Sequence, residues 1–329
     1  RVQNRPVKAV MEWYNGSKLL VAYSGGKDST VVLDMSYRLW AEKKVRELVV
    51  AHNEELLKAP PLFNWVYQVL NGVASSGVDV YVIVPRDDFI STIFEKRYSP
   101  PGHAFMWCTA RMKERPTQRF MAQLGGKWVK ATGVRLEESA NRERVIKSRC
   151  GVGTDTCGAG YWIQKSTDIS LEIAPIVNWT SEEVVEYLRT HRRPWDGGDY
   201  SYLLDVVYCG KTMLRNGCTL CTLVKRDPML LTYAECFKDE RYARVAELKS
   251  KLAAVGLDWS LREHKSKKLN DAGLKAVRGL LVEIFTTMPE LLAGYATFKP
   301  EVIEKHLPEV AHLMRGVSLK LDGIRVVEL

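Results

Sequence analysis

Leu19-Leu20-Val21-Ala22-Tyr23, running into Ser24-Gly25-Gly26-Lys27-Asp28-Ser29, is the stretch on which the fold turns. A short apolar run breaks into a glycine pair, and apolar residues at helical spacing follow at Val31, Val32, Met35 and Leu39. The pattern is strand, tight loop, helix. Two glycines let a loop aim several backbone N–H groups inward, and the helix N-terminus adds partial positive charge, so such a loop suits phosphate. Ser24 and Ser29 can donate hydroxyl hydrogen bonds to phosphate oxygens and Lys27 can neutralise their charge. Asp28 can hold Mg²⁺ or orient Lys27. The spacing is not that of a Walker A loop, which has four residues between its first glycine and the Gly-Lys pair, and no dinucleotide-binding G-x-G-x-x-G is present. A bare Ser-Gly-Gly could be an ordinary capped turn, but the whole hexapeptide after a buried strand argues against that.

Outward from this loop the same alternation continues. Leu48-Val49-Val50-Ala51 ends in the polar group His52-Asn53-Glu54-Glu55. An amphipathic stretch with Phe63, Val66, Tyr67 and Leu70 leads to the strand-like Val78–Val84. A helix is expected over 109–123, and Trp128–Thr132 reads as another strand. Strands alternating with helical patterns of this length predict an α/β fold, doubly wound around a mainly parallel sheet. After a Gly-rich loop at 150–160, Thr180 or Ser181 can cap a helix opened by Glu182 and Glu183. Residues 196–222 are irregular and hold three cysteines, and from about 240 the pattern is mostly helical. The expected organisation is a nucleotide domain over 1–190, a cysteine-rich segment over 191–236 and a helical C-terminal subdomain over 237–329.

The composition, 46% hydrophobic and 26% charged over 329 residues, excludes disordered and collagen-like chains. No apolar run reaches the length of a membrane span. Arg1–Pro6 contains no secretory apolar region, and the missing Met suggests a trimmed chain. Seven cysteines with no export signal argue for reduced thiols in the cytoplasm rather than a disulfide scaffold. Lys and Arg number 48 against 39 Asp and Glu, a net charge of +9 that favours a polyanionic partner.

With Ser24–Ser29 in place, the chain resembles the PP-loop ATP pyrophosphatase superfamily, whose signature is SGGxDS, over roughly residues 15–230. The resemblance implies an adenine nucleotide α-hydrolase-like fold and cleavage of ATP between its α and β phosphates, usually to adenylate a substrate before sulfur insertion. Thr132-Gly133-Val134-Arg135-Leu136-Glu137-Glu138-Ser139, with Arg142 beyond, resembles the GxRxxES segment of the PAPS-reductase-type branch. Gly133, Arg135, Glu138, Ser139 and Arg142 would then form a second phosphate-facing loop. An ion pair of Arg135 with Glu137 or Glu138 is the plainer reading of that arginine. Cys108-Thr109-Ala110-Arg111-Met112-Lys113-Glu114-Arg115-Pro116 is similar to the C-T-x-x-[LM]-K-x-x-P segment of the same branch, and Pro175-Ile176-Val177-Asn178-Trp179-Thr180 to its PI-x-W-[ST] segment. At the end of the second strand, His52-Asn53-Glu54 departs from the Asp-Thr-type pair of relatives.

Cys218-Thr219-Leu220-Cys221, preceded by Cys209, places three thiols within 13 residues of an irregular stretch, which suggests metal ligation rather than packing. The segment from Cys209 to Asp227 looks most like DNA-phosphorothioation PP-loop proteins of the DndC/SspD type. On that resemblance Cys108, Cys209, Cys218 and Cys221 are expected to hold one [4Fe–4S] cluster, with zinc as the alternative metal and Cys236 as the reserve ligand. Cys236 otherwise reads as a small buried hydrophobe. Cys150 and Cys157, in the Gly-rich loop, are either sulfur-handling thiols or plain exposed cysteines.

Three basic clusters, Arg142/Arg144/Lys147/Arg149, Arg189/His191/Arg192/Arg193 and Arg262/His264/Lys265/Lys267/Lys268, suit a phosphate backbone when taken together. The expected function is ATP pyrophosphatase activity in DNA phosphorothioate modification. Lys27, Asp28 and Arg135 would serve as catalytic residues, with ATP and Mg²⁺ bound at 24–29 and 133–142. DNA, a cysteine desulfurase as sulfur donor and other subunits of a modification complex are the expected partners; no membrane is. A PAPS or APS reductase and a tRNA thiolation enzyme are the alternatives. The reductase is disfavoured because the last cysteine is Cys236, where such enzymes carry a C-terminal catalytic cysteine.

Overall fold

The computed structural model describes residues 18–138, 162–165, 170–224, 226–317 and 319–329. Among them β1 (Lys18–Ala22), β2 (Glu47–Asn53), β3 (Asp79–Val84), β4 (Trp128–Ala131), β5 (Trp162–Lys165), β6 (Ser170–Ala174) and β7 (Ile324–Glu328) form one sheet. Its order is β5-β6-β4-β1-β2-β3-β7, with every neighbouring pair parallel except β5 with β6. The longer helices in chain order are α1 (Lys27–Ala41), α2 (Pro60–Ser75), α3 (Phe89–Lys96), α4 (Arg115–Leu124), α5 (Ser181–Thr190), α6 (Pro228–Phe237), α7 (Glu240–Leu257), α8 (Asp271–Thr287), α9 (Ala293–Phe298) and α10 (Pro300–His306).

The central strands are near-continuous apolar runs because both faces of the sheet are covered. Leu19, Val21, Leu48, Val50, Val80 and Val82 point into the larger core, with Val31, Val32 and Met35 of α1 and Trp65, Val66 and Val69 of α2. The alternate residues Leu20, Val49, Ala51 and Ile83 meet Phe120 and Met121 of α4 on the opposite face. The doubly wound α/β architecture expected from the sequence is therefore present. Of the two caps the sequence offered, Thr180 is the one that opens α5, in a reciprocal box with Glu183.

Two local expectations change. The helix expected over 109–123 extends over 107–124, and its Ala110–Glu114 part is wound as a wider π-type turn. Pro116 explains the widening: it has no N–H to give the preceding turn, and its ring crowds the carbonyl of Met112. The C-terminal region is helical but closes with β7, which adds to the sheet edge beside β3. The β-branched run Ile324, Val326 and Val327 is the signal for that strand. No helix among the described residues is long and apolar enough to cross a membrane.

The helical region is seated on the sheet domain at the β2–α2 connection. Leu56, buried there with φ +66°, lies under Gly294 of α9. A Cβ on Gly294 would stand 2.8–3.0 Å from Leu56 backbone atoms. Gly294→Ala should therefore cost about 1–3 kcal/mol of stability through overpacking. A lowered thermal midpoint checks this, and an unchanged midpoint would remove the contact as an anchor.

Candidate active site

β1 has β2 and β3 on one side and β4 on the other, so the strand order reverses between β1 and β4. The carboxyl ends of strands at such a reversal are where open α/β sheets form their ligand crevice. Here the β1–α1 loop and the chain leaving β4 come into backbone contact. A Cβ on Gly133 would meet Asp28 C and Ser29 N at 2.7 Å, so only glycine fits. Gly25 holds φ +84°, and a Cβ there would strike Val66. Ser29 Oγ donates to Gly26 O (3.0 Å), lies 3.0 Å from Ser24 Oγ and accepts from Ser24 N (3.2 Å). The loop is thereby closed on itself at the N-terminus of α1.

A pocket of about 330 Å³ opens over this loop, lined by Ser24, Gly26, Lys27, Asp28, Ser29 and Gly133, and by Lys113, Tyr208, Arg215 and Asn216 from elsewhere in the chain. Lys27 is buried, and burial lowers the pKa of its ammonium although Asp28 beside it opposes that. The Tyr208 hydroxyl accepts from Lys27 N (3.3 Å), and the Lys27 ammonium lies 5.4 Å from the centre of the Tyr208 ring. Arg215 and Asn216 lie within the Cys209–Asp227 segment, but neither was assigned a role from the sequence; their place beside Gly217-Cys218 was the available signal.

Arg135, expected to face phosphate, is 2% exposed and does not line the pocket. Its guanidinium donates to Asp28 (2.6 Å), Glu137 (2.9 Å), Trp179 O (2.9 Å) and Ser181 Oγ (3.0 Å). It combines the ion pair with Glu137 with a grip on the phosphate loop, and Asp28 is oriented by it as well as by Lys27 (3.4 Å). Arg215 is the arginine that lines the pocket. The side chain of Glu138, and Ser139, Arg142, Cys150 and Cys157, lie outside the described residues, as does the 142–149 basic cluster.

A chain of charges, buried at Glu54 and Lys58 and opening to solvent at Lys113, leads from β2 into the same pocket. Glu54 accepts from Leu56 N, Lys58 Nζ and the Tyr67 hydroxyl, each at 2.7 Å. His52 donates or accepts at Tyr23 O through Nδ1 (2.7 Å), and its Nε2 stands 3.6 Å from Glu54. Lys58 also pairs with Glu55 (2.8 Å), which in turn pairs with Lys113 (2.8 Å). The Lys113 ammonium is held charged, its pKa raised first by Glu55 and next by Cys218.

Cys218 and Cys221 line a second cavity of about 470 Å³, with Arg215 and Asn216 forming a wall common to it and the phosphate pocket. Cys108, Cys218 and Cys221 are free thiols. Burial pushes the Cys218 thiol up to about 12 and raises that of Cys108. Cys209 departs from the expected set of four. It turns at φ +47° and is disulfide-bonded to Cys236 on α6, with 6.2 Å between their Cα atoms. The chain thus carries one disulfide among the described residues, where wholly reduced thiols were expected, and Cys236 is exposed rather than buried. Among the described residues no three His, Cys, Asp or Glu side chains converge to hold a single metal ion.

The family described as phosphoadenosine phosphosulfate reductase domain matches residues 18–197, more than half of the chain. No curated protein matches. Among solved structures, the phosphate complex of phosphoadenylyl-sulfate (PAPS) reductase from Candida auris is 17% identical, with 57% of this chain and 79% of that one covered at a TM-score of 0.36. The U34-tRNA thiolase NcsA from Methanococcus maripaludis, with its [4Fe-4S] cluster, is 11% identical, with coverage of 76% and 80% and the same TM-score of 0.36.

The Glu54 network gives a signed pH dependence. Burial alone would raise the Glu54 carboxyl, but Lys58 and then His52 outweigh it and hold it at about 2. A depressed carboxyl stabilises the fold above its unfolded value and loses that contribution as pH falls through the folded one. The stability gap between the natural chain and Glu54→Gln, measured by urea unfolding, should therefore shrink between about pH 4.5 and 2. A gap independent of pH would contradict the pairing.

Proposed function

The chain belongs to the phosphoadenosine phosphosulfate reductase domain family, and on that premise we propose that it is an ATP pyrophosphatase coupled to sulfur transfer, acting in DNA phosphorothioate modification. The observation that carries this reading is the wall of Arg215 and Asn216 common to the phosphate pocket and the thiol-lined cavity. Activation at a phosphate and delivery of sulfur need that adjacency, because the activated intermediate is prone to hydrolysis and must be intercepted where it forms.

In the proposed reaction a non-bridging oxygen of a DNA backbone phosphate attacks the α-phosphorus of ATP and pyrophosphate leaves. A sulfur nucleophile then displaces AMP from the adenylated phosphate. The Ser24–Ser29 loop and the N-terminus of α1 would receive the β and γ phosphates, with Lys27 and Arg215 stabilising the charge that develops on the leaving pyrophosphate. Arg135 would act one step back, fixing Asp28, the carboxylate that would hold Mg²⁺, whose charge would offset that of the phosphates. Ser139 and Arg142 would complete the second loop.

Cys108, Cys218 and Cys221, the free thiols among the described residues, would hold the [4Fe–4S] cluster, with zinc as the alternative metal. When bound, the cluster would supply sulfur or electrons at the cavity beside the activated phosphate. The sulfur itself would come from a cysteine desulfurase, with other subunits of a modification complex presenting the DNA. A sulfonucleotide reductase is the second reading, favoured by the description of the family itself; it would release sulfite from its nucleotide with two electrons from an external dithiol reductant of the thioredoxin type, without consuming ATP.

Two measurements test the proposal. Asp28→Ala and Ser29→Ala should each lower pyrophosphate release from ATP by at least about a hundredfold, and undiminished release would sink the mechanism. The chain purified without oxygen should carry iron and sulfide with a broad visible absorption that Cys218→Ser removes; stoichiometric zinc in its place would overturn the cluster.

A further inference from the structure

The third basic cluster is not a solvated run of lysines but part of a built surface. α7 ends in Leu257 and is followed by Trp259, 62% and 66% exposed. The Arg262 guanidinium stacks 4.4 Å from the Trp259 ring centre. From Arg262 the chain makes a hairpin, closed by the Arg262–Leu269 bridge and by Glu263 N donating to Lys268 O (2.9 Å), with Lys265 at its tip at φ +51°.

This hairpin is rigidly mounted. Ser99 N donates to Lys267 O (3.0 Å), Lys267 Nζ donates to Ala104 O (2.9 Å), and Arg97 Nε donates to Leu269 O (2.9 Å). The segment it sits on leads directly to Cys108, and Pro101 O accepts from Thr222 Oγ1 (2.6 Å) beside Cys221. The surface and the thiols therefore belong to one packed unit.

Among the described residues its charge is uncompensated. Residues 259–269 hold Arg262, Lys265, Lys267 and Lys268 against Glu263 alone, and Glu263 is taken by Arg97 (3.1 Å). Nearby Asp271 is also bound to Arg97 (2.7 Å), and Asp258 accepts from Ser260. Exposed aromatic surface set among unpaired cations is what binds strands of nucleic acid: every base offers a face to stack, and every phosphate a charge to neutralise.

We propose that Trp259 and the 262–269 hairpin form a docking platform for single-stranded nucleic acid, with an unpaired base on the Trp259 indole and adjacent phosphates on Lys265 and Lys268. This rests on the reading of the substrate as a nucleic acid and adds where, and in what form, the strand is held.

The test is fluorescence anisotropy of the full chain with labelled single-stranded DNA, single-stranded RNA and duplex DNA of one length, over a salt series. Single strands of either sugar should bind more tightly than duplex. Trp259→Ala should weaken single-strand binding about tenfold with the salt slope unchanged, and Trp259→Phe should restore most of it. Lys265→Gln with Lys268→Gln should lower the salt slope by about 1.4, about 0.7 for each lost phosphate contact. Trp259→Ala binding within twofold of the natural chain, equal affinity for duplex, or no strand binding at low salt would each overturn the platform; the last would leave a protein partner for this face. Pyrophosphate release from ATP is measured in parallel. If it is intact while Trp259→Ala binds normally, the platform alone fails. If it is absent while strand binding depends on Trp259, the ATP reading fails and the platform stands.

Discussion

The contact between Gly133 and the Asp28–Ser29 backbone is the constraint from which the rest of the site follows. It presses together the two loops that leave β1 and β4 on either side of the strand-order reversal, and it leaves no space for a side chain between them. Once the backbones meet, a cation reaching across from Arg135 can hold Asp28 while its other nitrogens bind Trp179 O and Ser181 at the start of α5. A buried guanidinium is costly unless its donors are met, and here carboxylates, a carbonyl and a hydroxyl meet them. The phosphate loop is thus fixed from below before any ligand arrives. Preorganised donors are worth most in transition-state stabilisation because they need no rearrangement when charge develops.

The second organising feature is electrostatic and extends the site away from the loop. Glu54, Lys58, Glu55 and Lys113 alternate in sign from the end of β2 to the rim of the phosphate pocket. Removing Glu54 or Lys58 would strand its partner in a low-dielectric setting, whereas Lys113, half in solvent, depends less on Glu55. Its last member, Lys113, stands between the phosphate pocket and the thiols: it lines the former, and its charge bears on Cys218 and Cys108. The wide turn at Ala110–Glu114, forced by Pro116, is what swings Lys113 into this position from the same short element that carries Cys108.

Features fixed by local chemistry were legible from the amino-acid sequence. Strand β1, the glycine pair and helix α1 could be read from one window, because apolar period, φ requirement and helix start agree there. The start of α5 could be read from Thr180, Ser181 and the carboxylates that follow, although the choice of Thr180 as the cap came only from the structure. Features fixed by three-dimensional neighbours were not. Arg135 matches a motif whether its guanidinium faces phosphate or Asp28, and only packing against Ser181 and Trp179 separates the two. Arg215 enters the phosphate pocket from a loop more than 180 residues beyond it, and no spacing rule spans such a distance. β7 was masked by the helices before it, although Ile324, Val326 and Val327 carry the propensity.

The cysteines show the same division at its sharpest. The C-x-x-C spacing at Cys218 and Cys221 is local, whereas the choice between Cys108 and Cys209 as their companion is tertiary. Tyr233 resolves that choice on the Cys209 side. Its hydroxyl donates to Val207 O (2.7 Å) and lies 3.1 Å from Asn216 Oδ1, drawing α6 against the 202–209 segment so that Cys236 meets Cys209. Asn216 in turn donates to Val207 O (3.1 Å) and lines both cavities. The disulfide therefore braces the wall that the two cavities have in common, and leaves Cys108, Cys218 and Cys221 as the free thiols among the described residues.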